Sequence, residues 1–157
     1  MIQVFRLQKA TFASPENILS GYGAELFGGR WNTVGQAVVY TSATPELSLL
    51  ETLVHIEELY LDEMPVYVLA IIEIPKDSIL EVALSDLPNN WNDIHITLDN
   101  QRFTHNWLES ESHLAMAIPS VIVPMSLNYL INPNHPRMKE VKVVEITPFS
   151  FDSRLFK

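Results

Sequence analysis

Three residues in one stretch of the chain are of types that make an active site. Arg30 is framed by Gly28-Gly29 and Trp31-Asn32, Tyr40 lies in Val38-Val39-Tyr40-Thr41-Ser42, and Glu51 lies in Leu49-Leu50-Glu51-Thr52. A guanidinium forks onto oxyanions in a geometry that lysine lacks. An aromatic ring offers a π surface, and a carboxylate offsets positive charge that develops in a transition state. A cation, an aromatic and a carboxylate in this order outline a site.

The elements that must hold them can be read from start signals and period. Thr44 is a good N-cap and Pro45 suits the first helical position, where its missing N–H has no intrahelical partner in any case. Leu47, Leu50 and Val54 then recur at helical spacing, and Glu51 falls on the same stripe. An unpaired buried charge is very costly, so Glu51 has a partner or lines a cavity. The structural alternative to a site is an ion pair, with Arg30 as the nearest cation to propose. Upstream, Arg30–Asn32 and Gln36–Thr41 read as short strands joined around Gly35. Side chains alternate across a strand, so Arg30 and Asn32 share one face, and Val38, Tyr40 and Ser42 share another. Arginine, asparagine and tyrosine converge if the two faces coincide. The approach from Ser20 to Gly29 holds four of the five glycines, which permits close approach to the backbone.

A set of motifs spans most of the chain: Gly29-Arg30-Trp31-Asn32, Val39-Tyr40-Thr41-Ser42, Leu50-Glu51-Thr52-Leu53-Val54-His55, and much later Ile118-Pro119-Ser120-Val121-Ile122-Val123-Pro124 leading into Asn128-Tyr129-Leu130-Ile131-Asn132-Pro133 and His135-Pro136. In this order they resemble the RES domain family, toxins of bacterial toxin–antitoxin pairs named for an arginine, a glutamate and a serine. The resemblance implies a single RES domain over residues 1–157 with an α+β, ADP-ribosyltransferase-like fold, two small mostly antiparallel sheets packed with helices. It implies NAD as the substrate, with no cofactor, and cleavage of the nicotinamide–ribose bond by an NAD glycohydrolase or NAD phosphorylase, the acceptor being water or phosphate. NAD depletion would arrest growth.

On that resemblance Arg30 binds the pyrophosphate and Tyr40 flanks the nicotinamide. Glu51 meets the ribose hydroxyls and the oxocarbenium charge, and Ser120 orients Glu51 or holds the ligand. Trp31 and Asn32 are motif members that serve NAD or the scaffold, and Tyr22 is a further candidate contact. The implied partner is a cognate antitoxin with a helix-turn-helix DNA-binding domain that covers the site; a homo-oligomer within the complex is allowed. Two alternatives stay open. One is transfer of ADP-ribose to a protein side chain, and the other is a noncatalytic nucleotide-binding module in which Arg30 and Glu51 pair.

Composition sets the limits. With 157 residues, 47% hydrophobic and 18% charged, the chain is expected to be one globular domain. A formal net charge of -9, with its basic residues scattered, argues against direct nucleic-acid binding and favours a basic protein partner. There is no cysteine, so disulfides and thiolate chemistry are excluded. The start carries no leader pattern and no apolar run approaches membrane-spanning length, so the cytoplasm is the expected location and no membrane is involved.

The remaining chain reads as strands around one opaque region. Ile2–Leu7, Val66–Ile74, Ile79–Val82, Val121–Val123, Asn128–Asn132 and Val141–Ile146 are the expected strands, with Val66–Ile74 central and Pro124 ending the run after Ser120. Ser85–Ser112 is the least readable segment, a loop anchored by Trp91 and then a helix over Thr104–Ser112. His105, Glu109 and His113 would share that helix's face, but without a metal-binding motif they read as a solvated face, and no metal site is expected. Asn128 and Asn132 are expected to fix turns, and His55 to make a buried hydrogen bond.

Overall fold

The computed structural model describes residues 1–56 and 63–156. Its architecture is α+β. An alternating run makes β1 (Ile2–Lys9) and a nearly continuous apolar run makes β3 (Tyr67–Ile74), and the two pair antiparallel from Ile2 opposite Ile74 to Lys9 opposite Tyr67. β7 (Lys142–Phe149) covers the other edge of β3, with a register shift at Ile71/Ile72. Beyond β1 lie β2 (Val39–Ser42), β6 (Leu127–Ile131), β5 (Ala115–Pro119) and β4 (Ile79–Glu81), the last parallel to β5 and the rest antiparallel. The order is β4-β5-β6-β2-β1-β3-β7 in one seven-stranded sheet. The helices are α1 (Pro15–Ile18), α2 (Tyr22–Phe27), α3 (Pro45–Leu53), α4 (Leu98–Phe103) and α5 (His105–Ser110). Among the described residues no helix is long and apolar enough to cross a membrane.

One continuous sheet therefore stands where two small sheets were expected. The two halves nonetheless remain distinguishable, because β1 and β2 meet only at Phe5 opposite Ser42. Continuing that antiparallel register would set Leu7 opposite Tyr40. The strands diverge instead, and side chains satisfy the groups left over. The Leu7 N–H donates to Ser48 Oγ at 2.9 Å, and the Tyr40 carbonyl accepts from Arg6 Nη1 at 2.7 Å. A buried peptide group without a partner is costly, so Ser48 and Arg6 are what allow the sheet to fork there.

Packing divides along the same line. On one face Trp31, Val38, Leu87, Trp107, Met116, Ile118 and Leu130 form a core over the β4-β5-β6-β2 half. Leu7, Tyr67 and Phe151, with Leu49 and Leu53 of α3, form another over β1 and β3. A third, with Val4, Ile72, Ile74, Ile131 and Ile18, fills the opposite face.

Several expected elements differ. Arg30–Asn32 is a turn closed by a bridge between Gly29 and Asn32, not a strand, and β2 begins only at Val39. The strand expected at Val121–Val123 is a loop; the strand precedes Ser120, in a run whose five residues are all buried. The glycine-rich approach contains α2, and α4 stands where the middle segment was expected to be loop, while α5 falls within the helix expected over Thr104–Ser112. On α3 the Thr44 and Pro45 signals hold, Thr44 Oγ1 accepting from the Leu47 N–H at 3.1 Å. The stripe is rotated, however: Leu47 and Ser48 are buried while Leu50 and Val54 are 39% and 60% exposed. Glu51 thus sits half-buried at the margin of the packed face, and His55 is exposed rather than buried.

Ser48 is the tie that brings α3 onto the fork, one helical turn before Glu51. Ser48→Ala leaves the Leu7 N–H without its acceptor and should cost about 1–3 kcal/mol. The expected measurement is a lower urea midpoint with an unchanged slope.

Candidate functional site

Glu51 is the best-anchored group at the fork. Its Oε1 accepts from Ser120 Oγ at 2.7 Å and from Asn128 Nδ2 at 2.6 Å. Asn128 is oriented in turn by Ser42 Oγ, which donates to Asn128 Oδ1 at 2.8 Å, the two residues facing each other across β2 and β6. Ser120 is fully buried, and its hydroxyl also accepts from the Ile122 and Val123 N–H groups at 3.1 and 3.2 Å. A serine hydroxyl that accepts from following amides fixes its own direction. With its single proton given to Glu51, Ser120 orients the carboxylate from behind. Glu51 Oε2 makes no hydrogen bond among the described residues, and the Oε1 anchors set where it points.

Arg30 is half-buried at the second position of the Gly29–Asn32 turn. Its guanidinium rests on main-chain carbonyls, Nη1 on Trp91 at 3.1 Å and Nη2 on Ile94 at 3.4 Å. Burial lowers its pKa, against the opposing pull of Glu51, Asp93 and the Tyr40 hydroxyl. Among the described residues the ion pairs are those of Arg137 and Arg154, so Arg30 and Glu51 feel each other's charge without a salt bridge between them.

Tyr40 joins the two parts. Its hydroxyl donates to Asn32 Oδ1 at 2.6 Å and accepts from the Trp31 N–H at 3.1 Å, which pins the turn to β2. Burial pushes the phenol's pKa well above the usual tyrosine value, so the hydroxyl stays protonated and able to donate. The close approach explains Gly29, where a Cβ would lie 2.7 Å from Tyr40 Oη.

Asn32, Trp31 and Tyr22, the further candidate contacts, stand in different surroundings. Asn32 is fully buried, its Nδ2 shared among the Ala24, Thr33 and Gln36 carbonyls and its Oδ1 taken by Tyr40. Every polar atom of Asn32 is thus spent on the turn. Trp31 is 4% exposed and packs edge-on against Phe103, so it is core. Tyr22 stands 60% exposed in the first turn of α2 and, among the described residues, makes no hydrogen bond to the groups around Glu51 or Tyr40. The face expected to carry His105, Glu109 and His113 does not form, because α5 ends at Ser110. His105 Nδ1 meets Gln36 Nε2 at 2.8 Å, and His113 Nδ1 meets Ser112 Oγ at 3.1 Å. Asn132 does fix a turn, its Oδ1 accepting from the Asn134 N–H at 3.0 Å.

Asn128, expected to fix a turn, is instead a β6 residue that holds Glu51, and with Ser42 and Arg6 it is a residue that the motifs do not single out for the site. Asn128 lies on the same face of β6 as the fully buried Leu130, and a polar residue on an apolar stripe needs a partner. Arg6 gives the same signal inside Val4-Phe5-Arg6-Leu7. Burial lowers its guanidinium pKa to about 10, and it stays charged at neutral pH beside the Tyr40 carbonyl and Gln8 Oε1. An apolar groove over β4 and α5, lined by Leu80, Val82, Phe103, Trp107 and Met116, shares no residue with this site.

Gly29→Ala should destabilise the protein by about 1–3 kcal/mol, because the added carbon has to displace a hydroxyl held by two bonds. Gly23, inside α2 with nothing within 4 Å of where a Cβ would stand, is the control. Gly23→Ala should leave stability unchanged or raise it by up to about 1 kcal/mol. Thermal unfolding of both variants checks the contrast.

Comparison with known proteins places the chain among relatives. The RES domain family model matches residues 3–152. A protein named Toxin Res from Yersinia enterocolitica serotype O:8 / biotype 1B is 38% identical over 137 residues, 87% of this chain and 89% of that protein. A Toxin Res from Photorhabdus laumondii is 32% identical over 157 residues, 98% of this chain and 97% of that protein. A protein named Prs ADP-ribosylating toxin from Sphingobium sp. strain YBL2 is 34% identical over 143 residues, 88% of this chain and 87% of that protein.

Proposed function

The chain belongs to the RES domain family, and from that premise we propose that it is the toxin of a toxin–antitoxin pair that breaks the nicotinamide–ribose bond of NAD. The observation that carries this reading is the Glu51 carboxylate, with one oxygen fixed by Ser120 and Asn128, the other unbonded among the described residues, and no salt bridge to Arg30. A structural glutamate would spend its charge on a cation.

In the reaction the C–N bond between ribose and nicotinamide breaks, its electron pair goes to the ring nitrogen, and neutral nicotinamide leaves. The ribose carbon gains positive charge as the bond stretches, and Oε2 of Glu51 lies against it. Water or phosphate then forms the new C–O bond; with water, the proton goes to solvent. Arg30 binds the pyrophosphate, and its guanidinium keeps its charge for that purpose because its own partners are neutral carbonyls. Tyr40 holds the turn and flanks the nicotinamide. The ADP-ribosylating relative favours a second reading, transfer of ADP-ribose to a protein side chain by the same bond cleavage. Nicotinamide release from NAD by the purified protein tests both readings, and labelled ADP-ribose retained on protein separates the second from the first.

Glu51→Gln separates binding from chemistry. The amide oxygen can keep both donors, and the position lies at the margin of α3's packed face, so the variant should fold. An interaction made mainly in the transition state lowers turnover more than affinity when removed. Single-turnover nicotinamide release should fall on the order of a hundredfold, while calorimetry shows NAD still bound. A folded variant with near-normal turnover would remove Glu51 from the chemistry.

The same reading places an antitoxin with a helix-turn-helix DNA-binding domain over the site. An enzyme that drains a central substrate has to be held inactive, and a body of net charge -9 suits a basic partner. The purified complex should release nicotinamide far more slowly than the free toxin. Equal rates would put the partner elsewhere.

A further inference from the structure

The segment from Pro88 to Thr104 converges on Arg30 from two directions. Asn100 on α4 donates Nδ2 to the Trp91 carbonyl at 2.8 Å, and that same carbonyl receives Arg30 Nη1 at 3.1 Å. The next residue, Gln101, donates Nε2 to the Gly29 carbonyl at 3.1 Å, and Thr104 Oγ1 bonds the Trp31 carbonyl. The peptide group that precedes Arg30 and the one that follows Trp31 are therefore tied to α4 and the residue after it, and so is the carbonyl on which the Arg30 guanidinium rests. The loop that supplies this carbonyl is otherwise open to solvent, with Ile94 89% and Ile96 53% exposed.

Asn100 bears a cost for this arrangement. It is fully buried, and its Oδ1 has no hydrogen-bond partner among the described residues. Turning the amide over would aim an oxygen at the Trp91 oxygen and lose the bond, so the donor fixes the orientation. A buried acceptor without a partner destabilises a fold. Asn100 is better explained by what it does to the Trp91 carbonyl than by its contribution to packing.

We propose that Asn100 and Gln101 are positioning residues for Arg30: together they set the direction of its guanidinium, and through it the affinity for the anionic part of the substrate. This rests on the reading of Arg30 as the pyrophosphate contact. Neither residue touches the reacting atoms. Their removal acts on substrate binding and leaves the bond-breaking step to Glu51.

Gln101→Leu is the primary test, because leucine keeps the stem and the helix propensity and removes only the donor to Gly29. Asn100→Asp, nearly the same shape without the donor, is the second variant. Steady-state nicotinamide release should show KM for NAD raised about tenfold in Gln101→Leu with kcat within about twofold. In an Arg30→Lys background, Gln101→Leu should raise KM little further, since the group it directs has lost its fork. An unchanged KM, or an equal effect in both backgrounds, overturns the proposal. If Asn100→Asp does not fold, Gln101→Leu alone decides. A separate readout does not depend on the substrate: the Arg30 Nε–H resonance, assigned by its loss in Arg30→Lys, should move in Gln101→Leu. A resonance that stays in place overturns the positioning role. Wild-type protein that releases no nicotinamide overturns the NAD reading while leaving this readout to judge the positioning.

Discussion

The constraint on which the rest of the structure depends is the fork between β1 and β2. An antiparallel pair that continued from Phe5 and Ser42 to Leu7 and Tyr40 would close the sheet and leave no opening between its halves. Prising two strands apart leaves peptide groups that need partners, and the fork is stable because Ser48 and Arg6 replace the missing bonds. Each replacement also places something. Ser48 brings α3 to the opening with Glu51 one turn further on, and Arg6 holds the carbonyl of the residue whose phenol pins the Arg30 turn. Backbone accounting and site geometry are thus one arrangement.

The charges near the fork are treated unlike those at the surface. Arg137 is paired with Asp77 at 3.0 Å and Glu140 at 2.8 Å, and Arg154 with Asp152 at 2.8 Å, each cation set directly against a carboxylate. Arg6, Arg30 and Glu51 instead rest on carbonyls, amides and a hydroxyl. Dipoles offset part of the cost of desolvation and leave the charge itself uncancelled. Arg30 and Glu51 therefore keep opposite charges that do not cancel each other, which under the proposed reading serve the two signs of charge on NAD.

Legibility in the sequence followed the range of the interactions involved. Thr44, Pro45 and the run into Glu51 were readable because a cap and a helical period are local. The long strands β1 and β7 were readable from alternation and β3 from its apolar run. The single sheet was not, since it rests on the pairing of Phe5 with Ser42, which no local pattern encodes. Arg30–Asn32 looked like a strand because its residue types suit one, whereas the bond from Tyr40 to Asn32 and the bridge to Gly29 make it a turn. Arg30 and Tyr40 therefore lie together through a turn pinned by the Tyr40 hydroxyl and not through coinciding strand faces. On α3 the visible leucine line was the wrong one of two, because Leu49 and Leu53 pack beneath the helix while Leu50 faces outward.

The opaque middle of the chain has a further physical explanation. Residues that meet a reacting molecule are restricted in type: only a guanidinium forks, and only a carboxylate carries that charge in so small a group. Residues that act on main-chain carbonyls are not, because a peptide oxygen accepts from any donor that reaches it. Asn100, Gln101 and Thr104 each grip a carbonyl, of Trp91, Gly29 and Trp31 respectively, with an amide, an amide and a hydroxyl. Nothing in their spacing resembles a motif, because what they satisfy is a position in space and not a chemistry. A segment can therefore be silent as sequence and still decide where the site's cation points.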